Sequence, residues 1–152
     1  MSVTASGYYG LTLEKQLIDT AGFSIESETL VKVLMCTDGY TPAFDTHDFR
    51  ADVTNEVTQA NNYTTGGEVI TTTEVAVGSP AAGQTNFDSA NPSWATSTIT
   101  NAMAAVGYRT TTMSTTSELI WLSDFVTAAS TNNGTFTISV HANGWWFFDT
   151  TP

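Results

Sequence analysis

The chain is poor in the residues that most often carry chemistry. Of its 152 residues one is cysteine, two are histidine and four are lysine or arginine, against fifteen aspartates and glutamates. The lone Cys36 excludes an internal disulfide. It lies in the apolar run 30–36, where a buried small hydrophobe is expected and a reactive thiol, which wants basic neighbours, is not. Four cations and a net charge of −11 argue against nucleic acid or an anionic membrane as partner, because both demand clustered lysine and arginine. They also leave little with which to clamp a phosphorylated substrate.

Long apolar runs are missing too. None approaches the ~20 residues of a membrane span, and the start "MSVTASG" has no basic n-region, so a soluble chain made in the cytoplasm without a signal peptide is expected. The sequons at Asn62 and Asn133 then have little weight. There is no Gly-x-Ser-x-Gly elbow, no glycine-rich phosphate loop and no paired-cysteine motif. The expectation is a non-enzymatic protein with no cofactor and no small-molecule substrate.

What is present points to β structure. Threonine makes up about a fifth of the chain, and Thr, Val, Ile and the aromatics fit a pleated surface. Residues 135–141 alternate strictly, with Phe136, Ile138 and Val140 on one face. Asn143-Gly144 and then Trp145-Trp146-Phe147-Phe148 follow, which predicts a hairpin with a type I′ turn. His141 falls on the polar face as a surface histidine. Further strands are predicted over 30–36, 68–77, 96–108 and 118–126. Turns are expected at Gly66-Gly67, Gly78-Ser79-Pro80, Asn91-Pro92 and 130–134, and an exposed loop over 110–117.

Tyr9, Leu13 and Leu17 recur every fourth residue, and Gly22 stands where a C-cap glycine would, so a short amphipathic helix is predicted within 8–20. The whole reads as one domain over 1–152. It is mainly β, an antiparallel sandwich or barrel, with a helical arm at 1–28 packed on it and a short helical turn near 44–52.

That turn lies in "YTPAFDTHDFRAD", residues 40–52, the densest cluster of potential ligands in the chain. Calcium would want alternating carboxylates and a glycine, and zinc a second His or Cys nearby; neither is written here, so no metal is expected. A structural turn accounts for more of the residues. Thr41-Pro42 opens it, Asp45 or Thr46 caps it, Asp48 sits near its positive end, and Asp52 and His47 complete it. Phe44 and Phe49 pin it to the core, and Arg50 pairs with one of its carboxylates.

The same residues carry a resemblance that spans nearly the whole chain. In order, "VKVLMCTDGYTPAFDTHDFRADVTNEVT", "YTTGGEVI", "FDSANPSWATSTIT", "LIWLSDF" and "STNNGTFTISVHANGWWFF" resemble the pattern of a family of small virion proteins of tailed bacteriophages. There an "IKVxLxT" strand leads into "YTPxxDxHxFxxDVxxEV", then "GYTAGG", "WxxSTIxAR" and "GxFTIxWxxxG". Val31-Lys32-Val33-Leu34, Tyr40, Thr41, Pro42, Asp45, His47, Phe49, Asp52, Val53, Glu56, Val57, Trp94 and Ser97-Thr98-Ile99 stand in matching places. The run 100–106 and the aromatic 145–148 depart from the pattern, so the surface those segments build is expected to contact a different partner.

The resemblance implies a structural protein made in the host cytoplasm and carried in the virion. The favoured role is capsid decoration or cement, with the major capsid protein and further copies of itself, as a homo-trimer, for partners. A tail or head-to-tail component is the alternative, and a carbohydrate-binding module the second. Tyr8, Tyr9, Trp94, Trp145 and Trp146 are the candidate contact residues.

Overall fold

A computed structural model describes residues 3–18, 31–79 and 81–149. The fold is mainly β, with two antiparallel sheets and one short helix. The strands are β1 (Gly7–Tyr8), β2 (Val31–Cys36), β3 (Glu68–Val69), β4 (Glu74–Val77), β5 (Gln84–Asp88), β6 (Ser93–Arg109), β7 (Leu119–Thr137) and β8 (Trp146–Asp149). Five form one sheet in the order β1-β7-β6-β2-β3, and three form a second in the order β4-β5-β8. Neither sheet closes on itself, so the architecture is an open two-sheet arrangement and not a barrel.

Apart from half-buried Lys32, β2 is buried on both faces, as its apolar residues Val31 and Val33–Cys36 require. Val31, Val33 and Met35 face a core shared with Ile70, Phe87, Trp94, Ile99, Ile120 and Trp121, under the smaller sheet. Leu34 and Cys36 face a second core with Tyr9, Tyr40, Val106, Tyr108, Leu119 and Leu122. The helix α1 (Gly10–Leu17) covers that side. Thr12, fully buried, anchors it by donating its hydroxyl to the Leu119 carbonyl. The large sheet is thus the middle of three layers.

Several local expectations change. The Asn143-Gly144 turn exists, closed by Gly144 N–H to the His141 carbonyl at 2.8 Å, but it makes no hairpin between β7 and β8. The next amide, Trp145 N–H, bonds the Phe87 carbonyl, so the turn passes the chain from one sheet to the other. Gly144 has φ +84° and a Cβ there would stand 2.3 Å from the Phe87 oxygen, which reserves the position for glycine. Residues 138 and 140 keep their predicted face but are held by Pro92 and Asn91, through Ile138 N–H to the Pro92 carbonyl and Val140 N–H to Asn91 Oδ1.

The turn predicted at 130–134 is absorbed into β7. Register shifts between Ser97, Ile99 and Ala102 of β6 take up the extra residues, and side chains stand in for missing ladder bonds: Thr131 Oγ1 to the Ser97 carbonyl, Asn101 N–H to Ser130 Oγ. The strand expected over 68–77 is two, because Thr72 takes a positive φ of 53° and sends the chain from one sheet to the other. β5 had no alternating apolar signal and was missed. In the helix, the buried side is Thr12 with Tyr9 just before it, while Leu17 is exposed, so the four-residue stripe did not mark the buried face. Gly22, Leu30 and the rest of the arm from 19 to 28 lie outside the described residues.

Candidate functional site

The acidic stretch folds as a helical turn. Residues 43–47 turn through Thr46 and His47 N–H to the Ala43 carbonyl, and a 3-10 helix follows at Arg50–Asp52. Its cap is Asp52, and Asp45 and Thr46 play no such part. The Asp52 carboxylate accepts from Phe49 N–H at 2.9 Å and from Asp48 N–H at 3.0 Å, half of a capping box. The Phe49 bond foremost, with the Asp48 bond and nearby His47, holds this carboxyl below its usual range against the opposing effect of burial.

Asp48 is bidentate to Lys15 of α1, at 2.8 and 2.9 Å, and the same ammonium lies 4.8 Å from the Phe49 ring centre. Gly10 N–H bonds the Phe44 carbonyl, and the Phe44 ring packs on Gly7 and Tyr9. His47 Nδ1 stands 3.0 Å from the Tyr40 hydroxyl, which is 2.9 Å from the Tyr9 hydroxyl. Thr41 and Asp45 are exposed and Pro42 half-buried. His47, Asp48 and Asp52 are therefore occupied in fastening the turn to the helix and the core. Among the described residues no three His, Cys, Asp or Glu side chains converge as a metal set.

Arg50 pairs outside the stretch, with Glu56 at 3.1 Å. Glu56 also accepts from the Tyr63 hydroxyl and from Gly66 N–H, and Tyr63 oxygen accepts from Met35 N–H. Tyr108 donates to the Gly66 carbonyl at 2.6 Å and lies under the Arg50 guanidinium. Sequence reasoning missed this hub. A separation of six residues in irregular chain marks no shared face, so nothing local linked Arg50 to Glu56.

The aromatic candidates separate into two groups. Tyr9 is fully buried and Trp94 is 2% exposed, so neither offers a surface: Tyr9 fills the core beneath α1, and Trp94 packs between Tyr63 and Phe136. Tyr8, Trp145 and Trp146 come together. Tyr8 meets Trp146 edge-on at 5.0 Å and Phe148 at 5.9 Å, Trp146 stacks on Phe87, and Trp145 meets Trp121 at 5.1 Å. Tyr8, Trp121, Trp145, Trp146 and Phe148 line a groove of about 530 Å³ between edge strands β1 and β8. The Trp146 indole N–H is buried there without an acceptor, while that of Trp145 donates to Ser89 Oγ. Along β8 the pleat puts Trp146 and Phe148 on the side of Tyr8 and Phe147 on the other, with Phe148 36% and Phe147 45% exposed.

No family model, curated protein or solved structure matches this chain.

Proposed function

We propose that this chain is a structural protein of a tailed-bacteriophage virion, a capsid decoration or cement protein that binds the outer face of the shell. The observation that carries the reading is the aromatic edge at β8. An edge strand presents unpaired backbone groups, and here it also exposes Phe147 and, in part, Phe148 beside an aromatic groove. Such an edge favours burial against another protein surface by strand addition and side-chain packing. The acidic stretch supports the reading from the other side, because its ligand-like residues hold the fold together. The charge of −11 keeps free copies apart before assembly, and a shell repeats one weak contact into avidity.

The test is location. Purified protein added to shells that lack it should co-sediment stoichiometrically and appear by imaging across the head lattice. Phe147→Asp should weaken that binding while leaving the thermal midpoint nearly unchanged, since Phe147 points away from the core. Copies confined to the tail or to a single vertex would overturn the decoration role in favour of a tail or head-to-tail component. Glycan binding that Trp145→Ala abolishes, with no shell binding, would move the function to carbohydrate recognition.

A further inference from the structure

Three of the chain's four cations are paired: Lys15 with Asp48, Arg50 with Glu56 and Arg109 with Glu118. Lys32 is the fourth, and among the described residues it forms no ion pair, although acidic residues outnumber basic ones fifteen to four. It stands in the middle sheet opposite Tyr108, on the face capped by the Arg50 guanidinium. Lys32, Arg50 and Tyr108 line one pocket of about 210 Å³, bordered by the hydroxyl-rich loop after β6. That is smaller than the ~300–1,000 Å³ of a drug-sized ligand site and suits a single small group.

One donor at this pocket is left without an acceptor. Arg50 Nε is buried and has no hydrogen-bond partner, while its Nη2 is spent on Glu56. Among the described residues the hydroxyls of Thr65, Thr112 and Ser114, all lining the pocket, make no side-chain hydrogen bond. Thr65 and Thr112 are exposed, so the mouth is open to solvent. The lining itself carries Lys32 and Arg50 and no carboxylate; Glu56 pairs with Arg50 from outside it, and Glu68 lies with Lys32 on the adjoining pocket. A buried donor without an acceptor is costly, and charge-assisted bonds to an oxyanion are the strong way to satisfy one.

We propose that this pocket binds a small oxyanion, a carboxylate or a phosphate group, through Lys32, Arg50 Nε and the threonine and serine hydroxyls at its mouth.

The test is an amide chemical-shift titration of the full-length chain with sodium phosphate and, separately, sodium acetate, at an ionic strength held constant with sodium chloride to remove general screening. Saturable shifts are expected at Lys32, Gly66, Thr111 and Ser114. Tighter binding of phosphate would identify a free or esterified phosphate as the ligand, and binding of acetate at least as tight a carboxylate. Lys32→Met keeps the apolar stem and removes the charge; it should weaken binding at least about tenfold, which corresponds to ~1.4 kcal/mol. Lys32→Arg should retain binding and guards against a variant that merely fails to fold. Shifts that do not saturate with either anion, or that survive unchanged in folded Lys32→Met, overturn the proposal.

Discussion

The Tyr40 hydroxyl stands between two partners, 3.0 Å from His47 Nδ1 and 2.9 Å from the hydroxyl of buried Tyr9. The imidazole also stacks on the Tyr40 ring at 5.8 Å, so His47 works as the outer end of a fastening that begins in the core. His47→Ala removes one hydrogen bond and the stacked ring while Tyr40 keeps Tyr9. The expected loss is about 1 kcal/mol, a fall of about 2–4 °C in Tm for a chain of this size, with no change in metal content by elemental analysis. An unchanged midpoint, or metal present in the parent and absent from the variant, would show that the histidine has another role.

All five tyrosines of the chain, Tyr8, Tyr9, Tyr40, Tyr63 and Tyr108, have hydroxyls pushed above their ordinary pKa, each chiefly by burial, Tyr40 to about 12. The folded state therefore prefers the neutral phenol. The stability this gives is complete below the unfolded value near pH 10 and is lost as pH rises through the folded values. Phenolate absorbance of the native protein should stay low at pH 10–11, where the urea-unfolded chain is already ionised, and then rise together with loss of the far-ultraviolet signal. A fifth or more of the full signal appearing with the fold intact would mean that at least one ring is open to solvent.

The elements that sequence pattern revealed are those whose information is local. β2, the first part of β7 and the helical turn near 44–52 each carry their signal within a few residues: an apolar run, β-branched residues, a proline and closely spaced carboxylates. The failures are the places where a partner far along the chain decides. Asn143-Gly144 has the composition of a hairpin turn, yet the Phe87 carbonyl claims the next amide. Residues 130–134 look like a loop until Ser97 and Asn101 supply bonds to their side chains. Tyr9 and Trp94 read as candidate contacts because aromatic identity does not say which way a ring faces; α1 and Tyr40 enclose one, Tyr63 and Phe136 the other. The Arg50–Glu56–Tyr108 hub joins three separate segments, and no spacing rule covers that.

The Asp52 carboxylate, held low by the Phe49 and Asp48 amides, makes an acid-side prediction. A depressed folded pKa contributes stability that is fully present above the unfolded value, about 3.9, and that disappears as pH falls through the folded value. Asp52→Asn should be less stable than the parent by a constant margin above about pH 5, and the margin should narrow below about pH 4. Urea midpoints measured across that range give the answer. A margin that widens with acid would place the stabilising charge elsewhere.

Cys36 is fully buried in the second core, with its thiol pKa raised by that burial and, secondarily, by the Glu56 charge. A thiolate is the species that reacts. Labelling by a charged disulfide reagent at pH 8 should be slow in the native protein and prompt in 6 M urea. Fast native labelling would contradict the placement of β2 between two covered faces.

Gly107 and Trp121 are cross-strand partners in β6 and β7, and the indole lies directly on the glycine: a Cβ at 107 would stand 2.4 Å from three of its ring atoms. The ring cannot retreat freely, since Phe87 meets it at 5.3 Å and Trp145 at 5.1 Å. Gly107→Ala should therefore overpack this core and cost about 1–3 kcal/mol, read as a lower urea midpoint with an unchanged slope. Because the clash is with one side chain, its cost should depend on that side chain. In a Trp121→Leu background, which is itself destabilised by loss of the ring, adding Gly107→Ala should cost much less than it does in the parent, a coupling that a double-mutant cycle measures. Equal costs in the two backgrounds would show that residue 107 is glycine for a reason of backbone conformation and that the indole merely lies nearby.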